Sequence, residues 1–348
     1  MKTVLDPADL PATLADEGAL DELLSRPSKA VIDDLRKVDG DILVLGAGGK
    51  MGPSLAQMAR RALAKKRRVL AVARFSDPHR RRTLEQAGIE TIACDLVDRV
   101  EVARLPSFDN VIFMAGTKFG AQDDLPFTWA MNVAVPAIVA DRYARARIVA
   151  FSTGCVYPFA DVTGKGSSEA TPLAPVGEYA LSCLGRERMF QYYSEAKKTP
   201  GRLFRLNYAV ELRYGVLHDI ARKVKEGAPI DLAMGHVNVI WQGDACAQAL
   251  RCLAHATTPT NPINVSGPEI LSVRRLALAF GERLRRAPVF RGSEAPTAWI
   301  TDTSEAQRLL GPPLVPLALL IDWVADWVAR GQPSFDLPTK FEIRDGRY

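Results

Sequence analysis

The sequence predicts an α/β protein, a doubly wound parallel sheet carrying a smaller mixed α/β lobe. Three observations lead there. Short apolar runs recur at Ile42–Leu45, Val69–Ala73, Thr91–Ala93, Val111–Met114, Ile148–Phe151 and Leu203–Leu206. Helical patterns lie between them, notably Pro53–Lys65, Phe127–Ala144 and a helix around 179–196. Strands alternating with helices imply a parallel sheet covered on both faces. The third observation is the stretch after the first run, Gly46-Ala47-Gly48-Gly49-Lys50-Met51-Gly52, which opens the first of these helices. Glycines let the backbone turn tightly and approach a pyrophosphate, and the helix N-terminus offers free N–H groups and the positive end of its dipole. Strand, glycine loop and helix together read as a Rossmann-type dinucleotide cradle.

The elements divide the chain in three. Residues 1–39 form a polar, helix-prone extension in which Leu20, Leu23 and Leu24, then Val31, Ile32 and Leu35, suggest two amphipathic helices broken near Pro27, with a start signal at Ser25–Ser28. Residues 40–206 hold the dinucleotide-binding domain. Residues 207–348 are mainly a substrate-binding lobe and a polar tail, with some return of chain to the sheet. In that lobe helices are expected near 216–226, 244–255, 272–285, 303–310 and 316–329, and short strands near Ile230–Leu232 and Ile263–Val265.

The net charge of +5 is mild. Of its local clusters, Lys65–Arg68 reads as solvated surface rather than as a nucleic-acid patch, and Arg80–Arg82, like Lys50, lies in a region that could add positive charge toward a cofactor phosphate. Five cysteines, Cys94, Cys155, Cys183, Cys246 and Cys252, show no C-x-x-C spacing and suggest reduced thiols in a cytoplasm. The histidines His79, His218, His236 and His255 have no ligand spacing, so no metal site is expected. The start of the chain carries Asp6, Pro7 and Asp9 and lacks the apolar segment of a signal peptide, and no run reaches the length of a membrane span.

Residues near the end of the second strand choose the cofactor. An acid there binds the adenosine ribose hydroxyls of NAD. This chain has Ala73 and then Arg74. An arginine attracts a 2′-phosphate that an acid would repel, so NADP(H) is favoured. NAD(H) is the alternative, with Arg74 stacking on adenine and Asp77 or Asp95 supplying the acid. Asp95 and Leu96, after the third strand, could meet the adenine ring.

From about residue 41 to 312 the chain resembles the extended short-chain dehydrogenase/reductase family, the NAD-dependent epimerase/dehydratase group. The resemblance rests on the glycine loop, on Val111–Lys118, on Asn132-Val133, on Phe151-Ser152-Thr153-Gly154-Cys155-Val156-Tyr157, on Arg205–Tyr208, on Ile240–Ala245 and on Thr301–Gly311. It implies a cofactor held by Gly46, Gly49, Lys50, Met51, Gly52, Met114, Ala115, Gly116, Lys118, Asn132 and Tyr179, and a homodimer formed through the helices near 127–144 and 179–196. It also implies a catalytic Thr153 and a Tyr-x-x-x-Lys pair. Here that helix reads Tyr179-Ala180-Leu181-Ser182-Cys183, so Cys183 stands where the lysine belongs.

The lysine lowers the tyrosine pKa and holds the nicotinamide ribose, and a neutral thiol does neither well. Three readings follow. Another cation substitutes, with Lys118 the leading candidate and Lys165 or Arg186 weaker ones. Alternatively Tyr179 acts as a proton donor, or hands protons through Cys155 or Cys183. Or the site has lost its chemistry and the protein is a regulator or scaffold that binds NAD(P). The implied reaction is hydride transfer with a sugar, sugar acid or sugar nucleotide, whether as a dehydrogenase or an epimerase. Gly154-Cys155 lacks the acid pair that dehydration needs. Asn207, Arg213, His218, His236, Asn238 and Trp241 fall in segments that line the family's substrate cleft.

Overall fold

The computed structural model describes residues 4–63, 66–118 and 122–347. Its centre is a seven-stranded sheet of β1 (Ile42–Leu45), β2 (Val69–Ala73), β3 (Glu90–Ala93), β4 (Asn110–Phe113), β5 (Arg147–Thr153), β6 (Gly201–Leu206) and β7 (Asn261–Val265). All neighbours are parallel, in the order β7-β6-β5-β4-β1-β2-β3. The central strands read as unbroken apolar runs because both faces are covered, whereas edge strand β3 is partly exposed. Successive side chains alternate between the faces. Ile42 and Val44 join one core with Leu55, Met58 and Ala249, while Leu43 and Leu45 join the other with Val135, Val139 and Phe190.

The sheet grows outward from β1 in one direction through β2 and β3. The chain then crosses back to β4, on the other side of β1, and continues to β5. Such a reversal leaves a crevice at the carboxyl ends of β1 and β4. Helices α3 (Gly52–Ala62), α4 (Pro78–Gln86), α10 (Gln242–Arg251) and α12 (Ser304–Leu310) lie on one face of the sheet. The other face carries α5 (Arg99–Arg104), α7 (Val135–Arg142) and α8 (Gly177–Lys197). A short helix α6 (Leu125–Trp129) runs through a wider π turn at Ala130–Ala134 into α7.

A second core is built by α9 (Val216–Glu226), α11 (Val273–Leu284) and α13 (Leu317–Ala329) around Ile220, Phe280, Trp323 and Trp327. Here the expected domain boundaries blur. Strand Ile263–Val265 completes the main sheet beside β6 instead of serving the smaller lobe, because Ile263 and Val265 pack into the sheet core. The N-terminal extension is divided between both cores. Helix α1 (Glu17–Leu24) sends Leu20, Leu23 and Leu24 into the second core, and α2 (Lys29–Leu35), capped by Ser28, sends Val31 and Leu35 into the first.

The tail does more than wrap the surface. Phe341 is 1% exposed in the second core, and Thr339 donates from its N–H and its hydroxyl to Asp219 Oδ2, at 2.9 and 2.6 Å. Ala64, Lys65 and Tyr348, which the sequence assigns to a helix end and to the tail, lie outside the described residues. Among the described residues no helix is long and apolar enough to cross a membrane.

Candidate active site

Two adjoining hollows open at the carboxyl edge of the sheet. The larger, about 450 Å³, follows the crevice and is lined by the glycine loop, the end of β2 and the loop after β4. Two glycines shape it. Gly46 has φ +87°, and a Cβ there would lie 2.5 Å from the backbone nitrogen of Ala115. A Cβ on Gly52 would lie 2.3 Å from the carbonyl oxygen of Ala47, so only glycine lets α3 start this close to β1. Gly46, Gly49, Arg74, Asp95, Leu96, Met114, Ala115 and Gly116, all among the residues expected at the cofactor, line the cleft. Phe75, Ser76, Asp77, Arg80 and Met131 line it too, and Arg80 Nη1 donates to the carbonyl of Gly48 at 2.7 Å. Arg74 is exposed at the β2 end of the cleft. The elongated shape and the glycine wall fit a dinucleotide.

Six residues expected at the cofactor do not line this cleft: Lys50, Met51, Gly52, Lys118, Asn132 and Tyr179. Asn132 is fully buried: its Oδ1 accepts from Thr117 N–H at 3.0 Å, and its Nδ2 donates to Thr117 O and Ser182 Oγ, both at 2.9 Å. It therefore fixes the loop after β4 without lining the cleft. Lys50 and Met51 belong to the other hollow.

That second chamber, about 170 Å³, brings together Lys50, Lys118, Thr153, Cys155, Tyr179, Asn207, Tyr208, Tyr214 and Thr339. Thr153 ends β5, where its Oγ1 accepts from Cys155 N–H at 3.2 Å. Tyr179 comes from the first turn of α8. Its phenol is pushed well above the usual value by burial first, then by the neighbouring Cys183 and Cys155, against the opposing Arg186. The Tyr179 side chain packs against the cluster that holds Cys183, one turn along α8. Burial raises the Cys183 thiol as well, and its side chain packs with Val156 and Tyr157. Both groups are thus neutral near pH 7.

Of the cations considered as substitutes, Lys118 Nζ lies 6.0 Å from the Tyr179 ring centroid and is itself pulled below the usual lysine value by burial. Arg186 lies one turn beyond Cys183. It donates to Phe151 O at 2.9 Å and to Asn132 Oδ1 at 2.6 Å. Lys165 is exposed on a separate surface hollow.

Beneath the chamber a buried network sets the spacing of β5 and α8. Ser152 Oγ donates to Glu187 Oε1 at 2.5 Å, and Arg205 donates to both Glu187 oxygens at 2.9 and 2.6 Å. Arg205 Nη1 also donates to the Tyr157 hydroxyl at 2.5 Å, which donates in turn to Asn264 Oδ1 at 2.8 Å. Ser152 adjoins Thr153, and Glu187 lies two turns along α8 from Tyr179, so this network holds the two hydroxyls of the site in one place.

Most residues read as substrate contacts have structural work. Arg213 pairs with Glu17, Asp21 and Glu211 at 3.1, 2.7 and 3.2 Å and ties α1 to the second lobe. Trp241 is 2% exposed and meets Trp323 edge to face. Asn238 is fully buried, accepts from Asn207 Nδ2 at 2.9 Å and donates to Thr301 O at 2.8 Å. Asn207 lines the chamber with its amide nitrogen committed to Asn238 and to Trp299 O. His236 sits in a two-residue strand paired with Leu271–Ser272, away from the chamber wall. Burial lowers His218 to about 4, and its Nε2 lies 3.1 Å from Ser334 Oγ. Tyr208, Tyr214 and Thr339 are among the chamber residues that the sequence reading missed.

A family model described as the NAD dependent epimerase/dehydratase family matches residues 42–250. No curated protein is matched by the sequence. Among solved structures, Pal from Bacillus thuringiensis is 19% identical, covering 84% of this chain and 100% of that one, at a TM-score of 0.70. MoeE5 in complex with UDP-glucose and NAD is 20% identical, covering 84% and 99%, at 0.68. UDP-glucuronic acid 4-epimerase from Bacillus cereus, in complex with UDP-glucuronic acid and NAD, is 17% identical, covering 83% and 99%, at 0.67. These likenesses agree with the parallel sheet and its crevice. With the match across most of the sheet, they lead to one statement: the chain belongs to the NAD dependent epimerase/dehydratase family.

Proposed function

We propose that this protein is an NADP(H)-dependent oxidoreductase or epimerase acting by hydride transfer on a carbohydrate-type substrate. The observation that carries the reading is the adjacency of a dinucleotide-sized cleft to a chamber holding Thr153, Tyr179 and Lys118. The solved relatives with NAD and a sugar nucleotide are in keeping with it. Gly46, Gly49, Met114, Ala115 and Gly116 would hold the dinucleotide, whose nicotinamide ring supplies or accepts the hydride. Tyr179, kept protonated by burial, donates a hydrogen bond and then a proton to the substrate carbonyl oxygen. Thr153 donates a second hydrogen bond to that oxygen and stabilises its developing charge. A phenol with a raised pKa suits this donor role better than that of a base. A screen of keto sugars, aldoses and sugar acids, following NADPH absorbance and epimerised product, tests the proposal. Turnover of none of them, with cofactor bound, would leave the regulator reading in front, which Cys183 at the family's lysine position favours.

The preference for NADP(H) rests on Ala73 and Arg74 at the cleft mouth. Replacing Arg74 with alanine removes a charge-assisted contact worth about 1.5–3 kcal/mol. NADPH affinity should fall roughly 10- to 100-fold while NADH affinity stays level, as read by fluorescence titration. Equal losses for both nucleotides would reject a 2′-phosphate role.

The exposed Trp129, Leu181 and Tyr192 lie on α6 and α8, the segments expected to pair with a second copy. A homodimer through these helices is part of the proposal. Sedimentation showing a monomer at micromolar concentration would remove it.

A further inference from the structure

The C-terminal tail spans from one lobe to the other past the chamber. On the second lobe it is fastened to α9. Arg222 Nη1 donates to Asp336 Oδ1 at 2.6 Å, Thr339 donates twice to Asp219 Oδ2, and Lys223 pairs with Glu342. Phe341 is sunk in the second core. On the dinucleotide-binding side the tail ends against the start of α8. Gly346 has φ +75°, and a Cβ there would lie 2.3 Å from the carbonyl oxygen of Val176. Gly177 has φ +83°, and a Cβ there would lie 2.7 Å from the carbonyl oxygen of Gly346. Backbone meets backbone with no room for a side chain on either, two residues before Tyr179.

Arg344 holds the stretch between these two anchors. Its Nη1 donates to Thr297 O at 2.7 Å and to Ala233 O at 3.3 Å, and its Nη2 donates to Thr297 Oγ1 at 2.8 Å. Its Cζ lies 4.0 Å from the ring centroid of Phe159, which packs on Trp299 at 4.5 Å. A planar fork with several donors suits this joining of separate loops. Two tail residues also act on the chamber. Thr339 lines it, and Glu342 adds to burial and to Cys155 in holding the phenol of Tyr208, another wall residue, above the usual value. With the tail in place the chamber measures about 170 Å³, below the roughly 300–1,000 Å³ typical of pockets for drug-sized ligands.

We infer that residues 339–346 form a specificity strap, which limits the chamber to a substrate of monosaccharide size and shuts out a sugar carrying a nucleoside diphosphate. This rests on the reading of the chamber as the reaction site and narrows its substrate class. Thr339 and Phe341 are held by α9 and the second core independently of the Arg344–Gly346 end. Releasing that end therefore opens the chamber while the second core stays packed.

The test reads access to the chamber and not turnover, so its failure and the failure of the hydride-transfer reading can be told apart. Cys155 lines the chamber and is 6% exposed. The protein is treated with iodoacetamide and with the bulkier fluorescein maleimide, and labelling at each cysteine is followed by peptide mass spectrometry. Cys94, in the dinucleotide cleft, and the fully buried Cys246 and Cys252 serve as internal controls. Ending the chain after Ile343, and separately Gly346→Val, should each raise maleimide labelling of Cys155 about tenfold or more. The three control cysteines should stay within about twofold, which a general loosening of the fold would not allow. In calorimetric titrations UDP-glucuronate should bind the wild-type chain at least about tenfold more weakly than the shortened chain. The inference is overturned if Cys155 of the wild type takes the maleimide as fast as in the shortened chain or in Gly346→Val. It is equally overturned if the wild type binds UDP-glucuronate more tightly than free glucuronate, a result that needs no variant to fold.

Discussion

Tyr179→Phe is expected to lower turnover about 10²- to 10⁴-fold, the usual worth of a positioned proton donor. Nucleotide affinity should change little, because Tyr179 lines the chamber and not the dinucleotide cleft. The pH profile carries further information. Burial, Cys183 and Cys155 hold the phenol protonated well past pH 10. Carbonyl reduction should therefore show no Tyr179-linked loss up to pH 9, while the reverse oxidation, which needs the phenol to accept a proton, should climb with pH. Steady-state rates in both directions between pH 6 and 10 provide the check. Activity of the phenylalanine variant within threefold of wild type would place the proton donor elsewhere.

Glu187→Gln is expected to be the most destabilising of the conservative changes around the site. Glu187 is fully buried, and so nearly is its partner Arg205, joined to it by two hydrogen bonds. Removing the carboxylate charge leaves the guanidinium uncompensated, a loss of about 3–5 kcal/mol for a broken buried pair. The double change Glu187→Met with Arg205→Met removes both charges and should recover part of the loss, since the desolvation cost disappears with them. Urea unfolding of the three proteins measures this. A loss below about 1 kcal/mol for the single variant would mean that water reaches the pair.

The dinucleotide half was legible because its signals are local. A buried apolar run, glycines at 46, 49 and 52 and a following helix are contiguous, and Arg74 follows β2 directly. The Tyr-x-x-x-Cys departure was equally open to reading, because i and i+4 share a helix face. What was not legible depended on distant chain. Strand β7 pairs with β6 across more than fifty residues, so its own sequence looked like any short lobe strand. Lys50 was grouped with the loop that carries it, although Tyr214 and the chamber decide where its side chain goes. Arg213, Asn238 and Trp241 have the residue types of binding sites, yet ion pairing to α1, an amide network and an aromatic core engage them. Thr339 reaches the chamber only because Asp219, 120 residues earlier, anchors it.

The most direct measurement of the central claim is a fluorescence titration of the purified protein with NADPH, NADP⁺, NADH and NAD⁺, after a check for nucleotide that co-purifies. The account predicts saturable binding in the cleft below Gly46, Gly49 and Arg74, with NADPH at least tenfold tighter than NADH. Binding of none of the four would contradict it, and with it the assignment of Thr153 and Tyr179 to hydride-transfer chemistry.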